Sequence, residues 1–134
     1  MPLVWKKDYE LGIEIIDRQH RKYIETLNGF YLVINQGLQA ERLRALFGEL
    51  EDYINLHLQT EEKYFAEFNY DGTAEHLAQH EEFRNQLAKF KKEIESQKWE
   101  VVAETVDYLE NWLLNHILVI DKKYVPCFLA HGLK

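Results

Sequence analysis

The chain has 134 residues, a length that suits one domain with a single hydrophobic core. Its hydrophobic fraction is 46%, it contains one cysteine, and its formal net charge is −7. These values exclude the basic face of a nucleic-acid or anionic-membrane binder and any internal disulfide, and no run of about 18 apolar residues is present to span a membrane.

The first segment, residues 1–16, is predicted to be a non-helical arm, because apolar and polar residues alternate around Gly12. Asp17 is a candidate N-cap for the first helix, and Gly37 is a candidate for its end. The N-terminus lacks the apolar run of about 7–15 residues that a signal peptide needs. We therefore expect a cytoplasmic protein with one domain over residues 1–134.

Four stretches then carry apolar residues at helical spacing. Representative positions are Tyr23, Leu27 and Phe30; Leu43, Leu50 and Leu58; Leu77, Phe83 and Leu87; and Val106, Leu109 and Leu113. Thr73 is a candidate N-cap for the third helix, and Pro126 should end the fourth by about Val125. Short connections and the absence of a hairpin signal favour an all-α, up-down-up-down four-helix bundle with a short helical tail over residues 126–133.

Five of the six histidines fall on these apolar faces: His20, His57, His76, His80 and His116. One inward histidine is more often a hydrogen-bonded core residue than a ligand. A core face takes about 3/7 of helix positions, so five independent histidines would all face inward in about one sequence in seventy. Each buried polar group costs a few kcal/mol unless it finds a partner, and a metal ion would be such a partner. The group as a whole therefore indicates a metal site.

Two spacings support chelation. His57 with Glu61, and His76 with His80, are i, i+4 pairs whose Cβ atoms lie about 5–6 Å apart on one helix face. Each pair can therefore reach a single metal centre.

The position of Asp121 is less regular. It follows His116 by five residues, which turns it about 140° away from the face of that histidine. Asp121 could face inward through a tilted side chain, a local π-bulge or a fraying turn. The alternative is an exposed acid beside Lys122 and Lys123.

In this order the candidate ligands resemble those of the hemerythrin family, in its single-domain bacterial form: His20, His57, Glu61, His76, His80, His116 and Asp121. The resemblance covers nearly the whole chain and includes the segments GIEIIDRQH (residues 12–20) and NWLLNHI (residues 111–117). All seven ligand positions of the family carry the expected residue type. The resemblance identifies Asp121 as a ligand.

The resemblance implies a non-haem di-iron centre with an oxo or hydroxo bridge. One iron is bound by His76, His80 and His116, and the other by His20 and His57. Both irons are bridged by Glu61 and Asp121. One iron then has six ligands and the other five, which leaves one position for dioxygen. The implied function is reversible dioxygen binding, as a carrier, store or supplier, and not enzymatic.

Four further residues are expected around the centre. By resemblance, Leu113 and Ile117 line the oxygen pocket, although ordinary core packing is the alternative. Trp112 is expected to pack nearby. Tyr124 is predicted to hydrogen-bond a bridging carboxylate, because it lies three residues after Asp121.

Two other functions compete with this one. A ferritin-like di-iron oxidase or ferroxidase uses four carboxylates and Glu-x-x-His pairs, whereas no histidine here has a Glu three residues before it. Oxygen or redox sensors of the family are usually fused to signalling modules, and this chain has none. We therefore expect a stand-alone monomer whose partner is dioxygen, with any oxygen-consuming protein partner unidentified.

Overall fold

The computed structural model of the chain describes residues 3–37 and 40–134, without the side chains of Val101, Ile117 and Leu118. These described residues contain helices and turns and no strand, so the predicted all-α class is confirmed. Among the helices in this part of the chain, none is long and apolar enough to cross a membrane.

Four long helices form the bundle: α1 (Glu14–Asn35), α2 (Ala40–Phe68), α3 (Thr73–Glu95) and α4 (Val102–Asn115). Helix α1 packs against α2 and α4, and α3 packs against the same two helices. Each helix therefore lies beside its neighbours in the chain, as in the predicted up-down-up-down bundle.

The chain after α4 does not continue as one regular helix. A π-helical turn (His116–Ile120) and a 3₁₀ turn (Asp121–Tyr124) lead into a short helix, α5 (Val125–Ala130). Pro126 lies in the first turn of α5, where its missing N–H removes no helical hydrogen bond. The predicted helical tail is present, but it begins one residue earlier and ends earlier than predicted.

The N-terminal arm differs from the prediction. Helix α1 begins at Glu14 with Ile13 as its N-cap, four residues before the predicted N-cap Asp17, and the arm contains a 3₁₀ turn at Lys7–Tyr9. Asp17 is not the N-cap: its carboxylate accepts hydrogen bonds from the backbone N–H groups of Leu11 (2.8 Å) and Gly12 (3.1 Å). The side chain therefore fastens the arm to the helix instead of starting the helix.

Two predictions on α3 were also wrong. Thr73 is the first residue of the helix, with Gly72 before it, and its hydroxyl donates to the carbonyl of Tyr70. Leu77 is 39% exposed. It directly follows the buried His76, and one residue turns an α-helix by about 100°, so Leu77 points away from the direction in which His76 faces the core.

Buried apolar residues form two clusters. The larger one lies between α1, α2, α3 and α4, and includes Leu27, Leu50 and Phe90. The smaller one joins the arm, α2 and α5 through Ile13, Phe65 and Phe128, among others. The seven candidate ligands fall between these clusters along their helices.

Candidate metal centre

The seven candidate ligands converge on one buried region in two groups. The first group is Glu61, His76, His80 and His116, and the second is His20, His57 and Asp121. Within each group, one ligand atom from every residue lies within 4.8 Å of those from the others. The side chain of His57 is 13% exposed, and the other six are at most 2% exposed. The structure therefore brings together every residue that the sequence selected as a ligand.

A π-helical turn brings Asp121 into the cluster. In this turn the N–H of Asp121 donates to the carbonyl of His116, five residues earlier, which returns Asp121 to the same face of the helix. Its Oδ1 lies 2.7 Å from Nε2 of His116, and its Oδ2 lies 2.9 Å from Nε2 of His20. Of the three geometries that the sequence left open, the π-bulge is the one observed, and Asp121 touches both groups.

Glu61 also lies between the two groups. Its Oε1 is 3.0 Å from Nε2 of His80 and 3.5 Å from Nε2 of His76. On the other side, the same oxygen is 3.4 Å from Nε2 of His57. Both carboxylates are thus placed to contact two metal ions at once.

The contacts inside the cluster fit metal ligation better than hydrogen bonding. Nε2 of His20 faces Nε2 of His57 at 3.2 Å, and Nε2 of His76 faces that of His116 at 3.1 Å. Among the described residues, Oε2 of Glu61 and both carboxylate oxygens of Asp121 are buried without a well-aligned hydrogen-bond partner. Metal–ligand bonds of about 2.1 Å in an octahedron place neighbouring ligand atoms about 3.0 Å apart, close to these distances.

Polar side chains orient two of the rings from behind. Nδ1 of His57 donates to the Gln19 carboxamide oxygen at 2.8 Å, and the amide of Gln19 donates to Thr60 at 3.1 Å. Nδ1 of His116 lies 3.4 Å from the carboxamide oxygen of Gln79. A proton held on Nδ1 leaves the Nε2 lone pair free for a metal.

A carboxylate orients a third ring. Nδ1 of His80 lies 2.9 Å from Glu62, and Arg84 donates to both oxygens of the same carboxylate at 2.9 and 3.1 Å. Burial acts to raise the pKa of Glu62, but hydrogen bonds from Arg84 and His80 outweigh it and lower that pKa. The roles of Gln19, Glu62 and Gln79 were not predicted from the sequence. Their only signal was that each directly precedes or follows a ligand in the chain.

Burial and the carboxylates shift the pKa values of the histidines in the cluster. Burial lowers the pKa of His57 to about 4. Burial also acts against a charge on His116, but Asp121 and Glu61 outweigh it and raise the pKa of His116 to about 10. Neighbouring histidines likewise overcome burial and hold the pKa values of Glu61 and Asp121 below their usual range. The site therefore contains buried anionic carboxylates that cations would stabilise.

A small cavity lies beside His20 and His57. It has about 10 Å³ of space for the centre of a water-sized molecule, and its lining includes the buried Leu113 and the half-buried Trp112. The indole of Trp112 stacks on the ring of His116, with centroids 4.2 Å apart. The side chain of Ile117 lies outside the described residues.

Tyr124 is fully buried near the carboxylates. Burial, followed by the charges of Asp121 and Glu61, raises its pKa well above the usual value. Its hydroxyl makes no well-aligned hydrogen bond to another described residue. Interaction of the hydroxyl with Glu61 also contributes to the raised pKa, so Tyr124 lies within reach of a bridging carboxylate, and the predicted hydrogen bond remains a prediction.

Comparisons with known proteins agree with this geometry. Residues 11–128 match the family model of the hemerythrin HHE cation binding domain. The chain is 32% identical over 126 residues to a bacteriohemerythrin of Clostridium acetobutylicum, covering 91% of this chain and 98% of the relative. It is 33% identical over 129 residues to a bacteriohemerythrin of Stenotrophomonas maltophilia, covering 96% and 83%.

Solved structures show the same relationship. A crystal structure of a hemerythrin leucine-to-tyrosine mutant matches with a TM-score of 0.85 at 26% identity, and the match covers 95% of this chain and 98% of that chain. The family model spans most of the sequence, and the fold and the buried histidine–carboxylate cluster match the expectation from the ligand spacing. The chain belongs to the hemerythrin family.

Proposed function

We propose that this protein binds dioxygen reversibly at two iron ions held by the seven clustered side chains. The observation that carries the proposal is the unequal division of five clustered histidines around two shared carboxylates. One iron would be held by His76, His80 and His116, and the other by His20 and His57. Both irons would share Glu61, Asp121 and a solvent-derived oxo or hydroxo group. The iron pair would supply electrons to dioxygen on binding and recover them on release.

The cavity supports a small ligand at the less crowded iron. It is lined by both histidines of that iron, His20 and His57, and by one of the other three, His116, and its space of about 10 Å³ suits one molecule about the size of water. Apolar side chains, including Ile54 and Leu113, form much of its wall. Such a wall keeps bulk water and proton donors away from a bound ligand, which favours release of dioxygen over loss of hydrogen peroxide.

The same dimensions favour binding over catalysis. A cavity of this size has no room for an organic substrate beside the metals. Only two of the seven candidate ligands are carboxylates, whereas ferritin-like oxidases use four. We therefore propose a non-enzymatic dioxygen-binding protein in which residues 1–134 form one domain and act as a monomer.

Oxygen titration of the iron-loaded protein tests the proposal. We expect one dioxygen to bind for each pair of irons, with an optical change that reverses when oxygen is removed. A protein that carries mainly zinc, or that consumes oxygen without releasing it, would contradict the proposed function.

A further inference from the structure

The cavity beside His20 and His57 approaches the surface along the seam between α1 and α2. On the outside of this seam lies a groove of about 460 Å³, here called the α1–α2 groove, lined by Ile15, Leu56 and Thr60 among others. Gln19 and Tyr53 line both the groove and the cavity. These two side chains are thus the partition between the cavity and the groove.

Solvent exposure of the candidate ligands points to the same seam. His57, which lies on α2 and contacts Gln19, is 13% exposed, whereas none of the other six exceeds 2%. The side of the cluster nearest to solvent is therefore also the side on which the two-histidine iron would have its open position.

Stacked rings close two other sides of the cluster. Towards α3 and α4, Phe83 lies face to face with Trp112 at 3.8 Å, and Trp112 lies face to face with His116 at 4.2 Å. Towards α5, Tyr124 stacks on Phe128 at 4.2 Å, and both contact Phe65. Opening either side requires several packed rings to move together.

The partition on the α1–α2 seam is held more lightly. The Gln19 side chain is fixed by two hydrogen bonds, to His57 and Thr60. Tyr53 is half-buried, and its ring contacts the Lys22 ammonium at 5.2 Å from the ring centroid. A change of rotamer in the half-buried Tyr53 would open this partition without any helix movement.

We propose that Gln19 and Tyr53 form the entrance through which small ligands reach the open metal position, and that the size of Tyr53 limits the rate of passage. This inference rests on the proposed function, because it assumes a metal position that exchanges ligands. Tyr53 is the residue to vary, since it forms no hydrogen bond or ring stack with any of the seven candidate ligands described by the structure, whereas Gln19 also orients His57.

The rates of azide binding to the diferric protein distinguish two roles for Tyr53, as part of an entrance or as part of the binding pocket. Azide is a small linear anion that binds ferric iron, and its rates can be followed by stopped-flow absorbance. Tyr53→Ala should raise both the association and the dissociation rate constants about tenfold and leave their ratio almost unchanged, because an entrance lowers one barrier in both directions. Tyr53→Trp should slow both steps. Tyr108→Ala is the matched control, a half-buried tyrosine on α4 that does not line the cavity, and it should change neither rate.

A second readout does not depend on the chemistry of iron. In a Cys127→Ser background, Ile54→Cys places the only thiol of the chain in the cavity wall and, because it shortens that side chain, makes room for a small reagent. Its reaction with methyl methanethiosulfonate should be about tenfold faster when Tyr53 is also alanine, and unchanged when Tyr108 is alanine.

Two results would contradict the proposal that Tyr53 limits entry. Unchanged azide and thiol rates in Tyr53→Ala would mean that ligands enter elsewhere, and a changed azide affinity at constant association rate would make Tyr53 part of the pocket. Failure of the proposed function would appear differently, in the parent protein, as missing iron or irreversible oxygen uptake.

Discussion

Glu61 is the carboxylate on which the two halves of the centre depend. Its side chain is fully buried, and its Oε1 lies within 3.5 Å of the Nε2 atoms of His57, His76 and His80. Such an oxygen can bridge two cations, and its negative charge offsets theirs where water is absent.

We predict that Glu61→Ala sharply lowers the iron content from two ions per chain, because it removes a bridging ligand and a buried negative charge. Metal analysis of the purified variant measures this. His131→Ala is the control, since His131 is exposed and contacts Phe68 and Cys127 in the tail. Two irons retained in the Glu61 variant would show that this residue is not a required ligand.

Leu113 has a separate role, because it is an apolar wall of the cavity and not a candidate ligand. We predict that Leu113→Ala speeds autoxidation and admits larger anions with little loss of iron, because water then reaches the bound ligand. Optical decay of the oxygenated protein measures the rate.

Leu109→Ala provides a matched comparison. Leu109 is also buried on α4, one turn earlier, but it does not line the cavity. Both substitutions should cost about 2–5 kcal/mol of folding stability. Equal autoxidation rates in the two variants would mean that Leu113 is ordinary core.

At the scale of elements, the most consequential feature is the irregular segment after α4. Its π-helical turn (His116–Ile120) contains one ligand, and its 3₁₀ turn begins with another, Asp121. The Lys7–Tyr9 turn of the arm packs against the π-helical turn. The arm therefore supports the part of the backbone that places two ligands.

A second link between elements joins α1 to α4 near the far end of the bundle. The hydroxyl of Tyr31 lies 3.0 Å from Asp107 and 3.1 Å from Glu110. Burial and these two acids raise the pKa of Tyr31 above its ordinary value of 10. A proton on Tyr31 is therefore bound more tightly in the folded chain than in the unfolded chain.

We predict that Tyr31→Phe lowers the unfolding free energy at pH 7 by about 1 kcal/mol, the usual net contribution of a hydrogen bond. In the parent, the contribution from Tyr31 is fully present below pH 10 and is lost as the pH rises from there through its raised pKa. Urea unfolding at several pH values checks both statements. The difference between parent and variant should shrink above pH 10, and a constant difference would contradict the linkage.

At the scale of the whole molecule, the polar centre lies between two apolar clusters. The larger cluster binds the four long helices together, and the smaller one attaches the arm and α5. Both clusters can form without metal, whereas the buried carboxylates and imidazoles between them are stabilised by cations.

We predict that the metal-free protein keeps most of its helix but unfolds at a lower temperature than the iron-loaded protein, because metal binding to the native state adds to its stability. Circular dichroism at 222 nm gives both the helix content and the thermal midpoint. Equal midpoints with and without iron would contradict a site that binds metal in the folded state.

The sequence by itself determined the four helices and the convergence of the ligands. A helix places every third or fourth residue on one face by local geometry, so apolar spacing predicted both the bundle and the inward direction of His20 or His116. Spacing also predicted that His57 and Glu61 would act as a pair. Knowledge of the ligand pattern was needed to assign Asp121 before its geometry was known.

Only the tertiary structure decided the features that depend on contacts between distant segments. A π-helical turn is unfavourable in isolation and is adopted where contacts of Asp121 with His20 and His116, and contact with the arm, compensate for it. In the same way, Asp17 binds the arm instead of capping α1, and Gln19 meets His57 across two helices. The cavity is set by packing among several helices, which helical periodicity does not describe.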